Sequence, residues 1–171
     1  NRKMSTCKQL IALASVACLM NSPMSGQVRF EDVTDKAGLV LTLRGMMGHC
    51  AAWGDVDGDG YPDLFVGTFS HMADSANNKR GHTGGAEPDK IFINLRNGTF
   101  REVKDSPVRI KGRNSGAAFA DFDNDGDLDL VTSHQSHETS PPDYSGHPNN
   151  FLFANDGKGN LTNVTRSAGL D

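Results

Sequence analysis

Two stretches of the chain share one spacing of carboxylates, D-x-D-x-D-G-x-x-D: Asp55-Val-Asp57-Gly-Asp59-Gly60-Tyr61-Pro-Asp63 and Asp121-Phe-Asp123-Asn-Asp125-Gly126-Asp127-Leu-Asp129. Side chains at loop positions one, three and five converge on one point when the backbone curls tightly around it. Glycine at position six permits that curl, because it adopts positive φ without a Cβ clash. The carbonyls of Tyr61 and Asp127 at position seven, with the carboxylates of Asp63 and Asp129 at position nine, complete a mostly charged, all-oxygen shell. Such a shell suits Ca²⁺ better than softer metals, and better than Mg²⁺, which demands stricter geometry and keeps its waters. The residues therefore predict two calcium sites, with Asp55, Asp57, Asp59, Tyr61 and Asp63 at one and Asp121, Asp123, Asp125, Asp127 and Asp129 at the other. Crowded carboxylates repel by about 1 kcal/mol per pair at ~4 Å even in water, so the loops need a cation.

Other chemistries fit less well. An EF-hand shares the first half of the pattern but requires a glutamate at loop position twelve, where this chain has Val66 and Thr132. A phosphotransferase built on an Asp-x-Asp pair after an apolar strand is a second reading of Asp55 and Asp57, but two equivalent active sites in so short a chain are unexpected. Each acidic loop is followed by a short apolar run, Leu64-Phe-Val-Gly67 or Leu128-Asp-Leu-Val131, that reads as a strand.

The repetition extends past the aspartates. His49-Cys-Ala-Ala-Trp53-Gly-Asp55 aligns with Ser115-Gly-Ala-Ala-Phe119-Ala-Asp121, and Ile91-Phe-Ile-Asn94 through Phe100 aligns with Leu152-Phe-Ala-Asn155 through Leu161. Phe30-Glu-Asp-Val33-Thr-Asp-Lys-Ala37-Gly-Leu39 matches Leu161-Thr-Asn-Val164-Thr-Arg-Ser-Ala168-Gly-Leu170, with Phe100-Arg-Glu-Val103 as a middle copy. Each unit reads as four short strands, the last two joined by an Asn/Gly hairpin turn. A single four-stranded sheet cannot bury both faces, and radial stacking of such sheets is a β-propeller. The expected fold class is thus all-β, with two full blades of four antiparallel strands at 46–110 and 111–171. Residues 27–45 are expected to supply the outer strand of a preceding or closing blade. No amphipathic helix is evident between residues 27 and 171, and two blades are fewer than a closed ring needs, which suggests a portion of a longer protein.

These units resemble the FG-GAP or VCBS repeat, the calcium-binding propeller blade also found in integrin α-subunits. The segments Phe30 to Leu39, Trp53 to Val66, Ile91 to Phe100, Ala120 to Val131 and Phe151 to Leu170 look most like repeats of the ASPIC/UnbV group, which includes cartilage-acidic-protein-like proteins. The resemblance implies that Asp55, Asp57, Asp59, Asp63, Asp121, Asp123, Asp125 and Asp129 ligate Ca²⁺. Since no nucleophile–base pair or acid pair free of calcium duty stands out, the expected function is a non-enzymatic, exported module that binds an extracellular protein or polysaccharide. The alternative the resemblance leaves open is a propeller portion of a carbohydrate-active enzyme such as a polysaccharide lyase.

The amino-terminal segment differs in kind. Arg2, Lys3 and Lys8 precede the apolar run Leu10 to Met20, the layout of a secretory signal over residues 1–26 and too short to span a bilayer as a stable helix. Ser15-Val-Ala17 before Cys18 only weakly suggests lipidation. Residues 27–171 carry 14 basic and 21 acidic side chains, a formal charge of −7, which argues against nucleic-acid or polybasic membrane contacts. Cys50 alone lies outside the signal, so no disulfide framework is expected, and it reads as a small buried apolar residue. His71, His82, His134, His137 and His147 fall in two long connections and could in principle meet on one face, although solvated loops are the simpler expectation.

Overall fold

A computed structural model describes residues 28–69, 87–135 and 150–170. The expected signal segment, His71, His82, His137, His147 and most of both long connections lie outside the described residues. Chain contacts set Val33–Asp171 apart as one unit; the two sheets below belong to it.

The fold is all-β. Strands β1 (Gly48–Gly54), β2 (Asp63–Thr68), β3 (Lys90–Asn94) and β4 (Phe100–Glu102) form an antiparallel sheet in sequence order, and β5 (Asn114–Ala120), β6 (Asp129–His134), β7 (Asn150–Ala154) and β8 (Thr162–Asn163) form a second. The two sheets repeat each other in register: Trp53 pairs with Leu64 as Phe119 pairs with Leu130, and Leu64 pairs with Phe92 as Leu130 pairs with Phe153. An irregularity recurs near the start of each first strand, between Gly48 and Cys50 and between Asn114 and Gly116. These are two propeller-type blades.

Strand alternation divides the apolar residues of the first sheet between its faces, because successive side chains point opposite ways. Phe65, Ile91 and Ile93 turn toward the second blade and join Val56, Val108, Leu130, Phe151, Phe153 and Leu161 in one core. Leu64 and Phe92 lie on the other face, covered by Ala37 and Leu39. Burial of each such side chain is worth about 1.5–3 kcal/mol, so the seam between blades is the main apolar store of the fold. The innermost strands approach so closely that a Cβ on Gly54 would lie 2.6 Å from the Phe119 ring.

Residues 28–45 form no strand, and neither of the two sheets is the preceding or closing blade to which they were expected to contribute one. They hold turns and a one-turn helix, α1 (Leu39–Thr42). The reason is local. Gly38 adopts φ 76°, and the N–H groups of Leu39 and Gly38 bond to the carbonyls of Thr34 and Asp35, the nested pair that closes a helical turn. The same bonds recur at the other copy of the motif: Leu170 N–H to Thr165, Gly169 N–H to Arg166, with Gly169 at φ 73°. The V-T-x-x-A-G-L element is a capped turn that docks on a blade, shown by the Phe100 N–H bonding to the Ala37 carbonyl at 3.1 Å.

Gly54→Ala should lower stability by about 1–3 kcal/mol through overpacking at the seam, and a second change, Phe119→Leu, should recover part of the loss. Thermal denaturation of the single and double variants checks this.

Candidate metal centre

Each acidic loop joins the first strand of a blade to the second. The curl depends on left-handed residues at two positions. Position six is Gly60 at φ 87° or Gly126 at φ 98°, and position four is Gly58 at φ 70° or Asn124 at φ 62°. Asparagine is among the few side-chain-bearing residues that enter this region readily. The aspartates then bond to the loop's own backbone. Asp55 accepts the N–H groups of Asp59 and Gly60 at 3.0 and 2.8 Å, and Asp121 accepts that of Gly126 at 3.2 Å.

Position nine is the anchor. Asp63 and Asp129 are buried, and each carboxylate is shared between two backbone donors. Oδ2 accepts the N–H of position two, Val56 or Phe122, at 2.9 Å in both loops. Oδ1 accepts the N–H at the end of the third strand, Asn94 at 2.7 Å or Asn155 at 2.8 Å. The loop is thereby fastened to the neighbouring hairpin. Burial pushes the Asp63 carboxyl above its usual range, and the charges of Asp57 and Asp55 add to the rise, while the two N–H bonds oppose it.

One carboxylate oxygen from each of Asp55, Asp57 and Asp63 lies within 4.8 Å of the others, and Asp121, Asp123 and Asp129 form an equivalent trio. The donor set is hard oxygen throughout. Oδ1 of Asp57 is buried without a hydrogen-bond partner, so a lone pair is held in the cluster with nothing to receive it. The residues present thus fit a divalent cation of the calcium type. The structure does not bring the position-five aspartates, Asp59 and Asp125, into the trios.

The loops differ in a way the aligned motifs conceal. Asp59 is engaged by Arg96, whose Nε lies 2.5 Å from Oδ2, and this contact holds the Asp59 carboxyl below the usual range. The position matching Arg96 in the second blade is Gly157, so Asp125 has no equivalent cation. Asp127 stands against Gly157 instead, where a Cβ would lie 2.5 Å from its carboxylate. Desolvation, and after it the charge of Asp125, raises the carboxyls of both Asp123 and Asp127. Between the two loops lies a cleft of about 190 Å³ lined by Asp55, Gly58, Asp127, Asn155 and Gly157. Asn155 closes its floor, with Nδ2 donating to the Val56 carbonyl of the first blade at 2.7 Å and to Leu128 of its own at 3.0 Å.

Elsewhere the structure corrects two expectations. Cys50 is half-buried rather than a purely apolar filler, and its thiol donates to Asn114 Oδ1 at 3.1 Å. Burial, helped by the Asp89 charge, raises its pKa, which makes the thiolate scarce at neutral pH. His134 is a buried seam residue and not a solvated loop ligand. Its Nε2 lies 3.0 Å from Asp89 Oδ2, and Asp89 also accepts Asn114 Nδ2 and the Thr68 N–H, both at 2.7 Å. This clasp was invisible in the motifs, since Asp89 and Asn114 carry no distinctive spacing. Asn94 and Asn155 stood in the aligned repeat, but only as turn residues.

A family model described as an FG-GAP-like repeat matches residues 67–132, and one described as an FG-GAP repeat matches residues 51–78. The first match runs from the end of β2 through β6, one repeat period. No curated protein matches the chain.

Two outcomes are expected of these loops. The melting-temperature rise on adding calcium should be largest near neutral pH and should fade as the pH falls, starting above the usual carboxylate range, because Asp63 and Asp123 keep their protons above that range and must release them to an ion. Arg96→Ala should tighten the first site roughly tenfold by removing a competing cation, with the second site unchanged; calorimetric titration with calcium separates the two.

Proposed function

We propose that these blades form part of an exported, calcium-stabilised propeller of the adhesion type, which binds an extracellular protein or polysaccharide. The observation that carries the proposal is the placement of the buried carboxylates Asp63 and Asp129. Each ties its acidic loop to the backbone of the next hairpin, so an ion held there would brace the blade. Calcium on this reading is structural.

The acidic loops and the β3–β4 and β7–β8 hairpins share one end of the blades. The opposite end is where β2 and β6 run into the long connections, residues 68–88 and 133–148, and ligand recognition is assigned to that end. The repeat matches support a binding module. Placement in the ASPIC/UnbV group rests on the F-x-D-V-T-x-x-A-G-L element at Phe30 and its copy at Leu161. The amino-terminal charge and apolar run support export, and no helix among the described residues is long and apolar enough to cross a membrane.

Further blades are part of the proposal. Trp53 holds the repeat position of Phe119 yet is 58% exposed, so it offers to a preceding blade the contact that Phe119 makes on Gly54. No reaction is assigned to the blades, since the Asp89–His134 pair is enclosed in the seam and serves to join it.

Thermal melting in calcium and in chelator tests the structural role: a rise of several degrees is expected with calcium, and an unchanged midpoint would sink it. Binding is tested on glycan and extracellular-protein arrays. Replacing residues 136–148 by a Gly-Ser tether should abolish capture while leaving the calcium-dependent melting shift intact.

A further inference from the structure

Arg113 is an unpaired cation in an acidic molecule. Among the described residues, Arg96 and Arg109 each have a carboxylate partner, Asp59 and Glu102, whereas the Arg113 guanidinium has none. Its Nε is buried without a hydrogen-bond partner. A buried, unmatched donor on a charged group is costly, so an arrangement that keeps one in place calls for a compensating partner.

The surroundings hold the guanidinium in a fixed pose. Arg113 and Phe69 form an isolated bridge between the blades, and Cζ stands 4.5 Å over the Phe69 ring. The Arg113 carbonyl accepts the Gln135 N–H at 2.8 Å, and the Phe69 N–H bonds to the Met47 carbonyl at 2.8 Å. The exposed His49 ring lies 4.7 Å from that of Phe69. An aromatic ring beneath a guanidinium excludes water from one side, and with Nε enclosed the terminal Nη edge is the part left to meet a ligand. The buried acid of the seam, Asp89, is already saturated by Thr68, Asn114 and His134.

We infer that Arg113, supported by Phe69 and flanked by His49, is an oxyanion-binding site whose ligand is an isolated carboxylate, such as the acid group of a uronic-acid residue. A guanidinium edge matches a carboxylate in two parallel hydrogen bonds, and the partly dry setting strengthens them. The formal charge of −7 over residues 27–171 repels densely charged polyanions, which selects single carboxylates on otherwise neutral ligands. The site lies at the end of the blades where β2 leads into its long connection, so the inference rests on the assignment of ligand binding to that end and names the chemistry recognised there.

The test uses the full chain with calcium present, titrated with D-glucuronate and, separately, with glucose at constant ionic strength. The Arg113 Nε–H resonance is followed by ¹⁵N NMR. A saturable shift with glucuronate and none with glucose is expected, weakened about tenfold or more in Arg113→Gln and partly retained in Arg113→Lys, which keeps the charge and loses the fork. Equal responses to both sugars, or full binding by Arg113→Gln, overturn the inference. Because the wild-type resonance reports directly, a poorly folding variant does not obscure the answer. Array capture that survives Arg113→Gln would defeat the anion site and leave the binding-module reading standing; glucuronate binding without any array capture would do the reverse.

Discussion

The two blades depend on a carboxylate placed where a carboxylate is expensive. Asp63 and Asp129 are buried at the start of the second strand, and each spends both oxygens on backbone N–H groups, one in the acidic loop and one at the end of the third strand. Three chain segments are fixed by one side chain. At Asp63 burial and the charges of Asp57 and Asp55 outweigh the two N–H groups, so its ionised form wants more positive potential than they supply. The acidic loop is thus the place where architecture and cation chemistry become the same problem. The trio of oxygens around each anchor is the consequence.

The seam between blades combines two kinds of contact. Its bulk is apolar and nonspecific in direction, from Phe65 and Ile91 on one side to Leu130 and Phe153 on the other. Apolar faces alone can slide. The Asp89 clasp, with donors from Thr68 on the first blade and Asn114 and His134 on the second, and the Asn155 bond to the Val56 carbonyl allow one registration. A buried polar network of this kind adds little net stability but penalises every arrangement in which a member is left unpaired. Gly67 completes the fit, since a Cβ there would run into Cys50 and Asn114.

Much of this was legible in the residues. The doubled aspartate spacing, the apolar runs after it and the repeated flanks led to paired four-stranded sheets, and the register of Trp53 with Leu64 and Phe119 with Leu130 follows that repetition. The segment around Val33 is legible only in part: its repeat match to Leu161 through Leu170 marks the element, but that Gly38 closes Val33 to Leu39 into a capped turn shows only in the backbone hydrogen bonds. The acidic loops were read as equals. Arg96 and Gly157, each on the far hairpin of its blade, make them unequal.

By itself the sequence determined what neighbouring residues can decide: strand alternation, the curl permitted by Gly60 and Gly126, and the concentration of oxygen donors in each loop. Those properties depend on backbone sterics and on charges a few residues apart, so they survive without knowledge of the rest of the chain. Only the tertiary structure decided which aspartate is an anchor, which arginine is spent on a carboxylate and which is left unmatched, and that His134 faces a buried acid. Those outcomes depend on groups tens of residues apart being brought within hydrogen-bond reach, and on burial, which raises the energy of any charge that arrives without a partner.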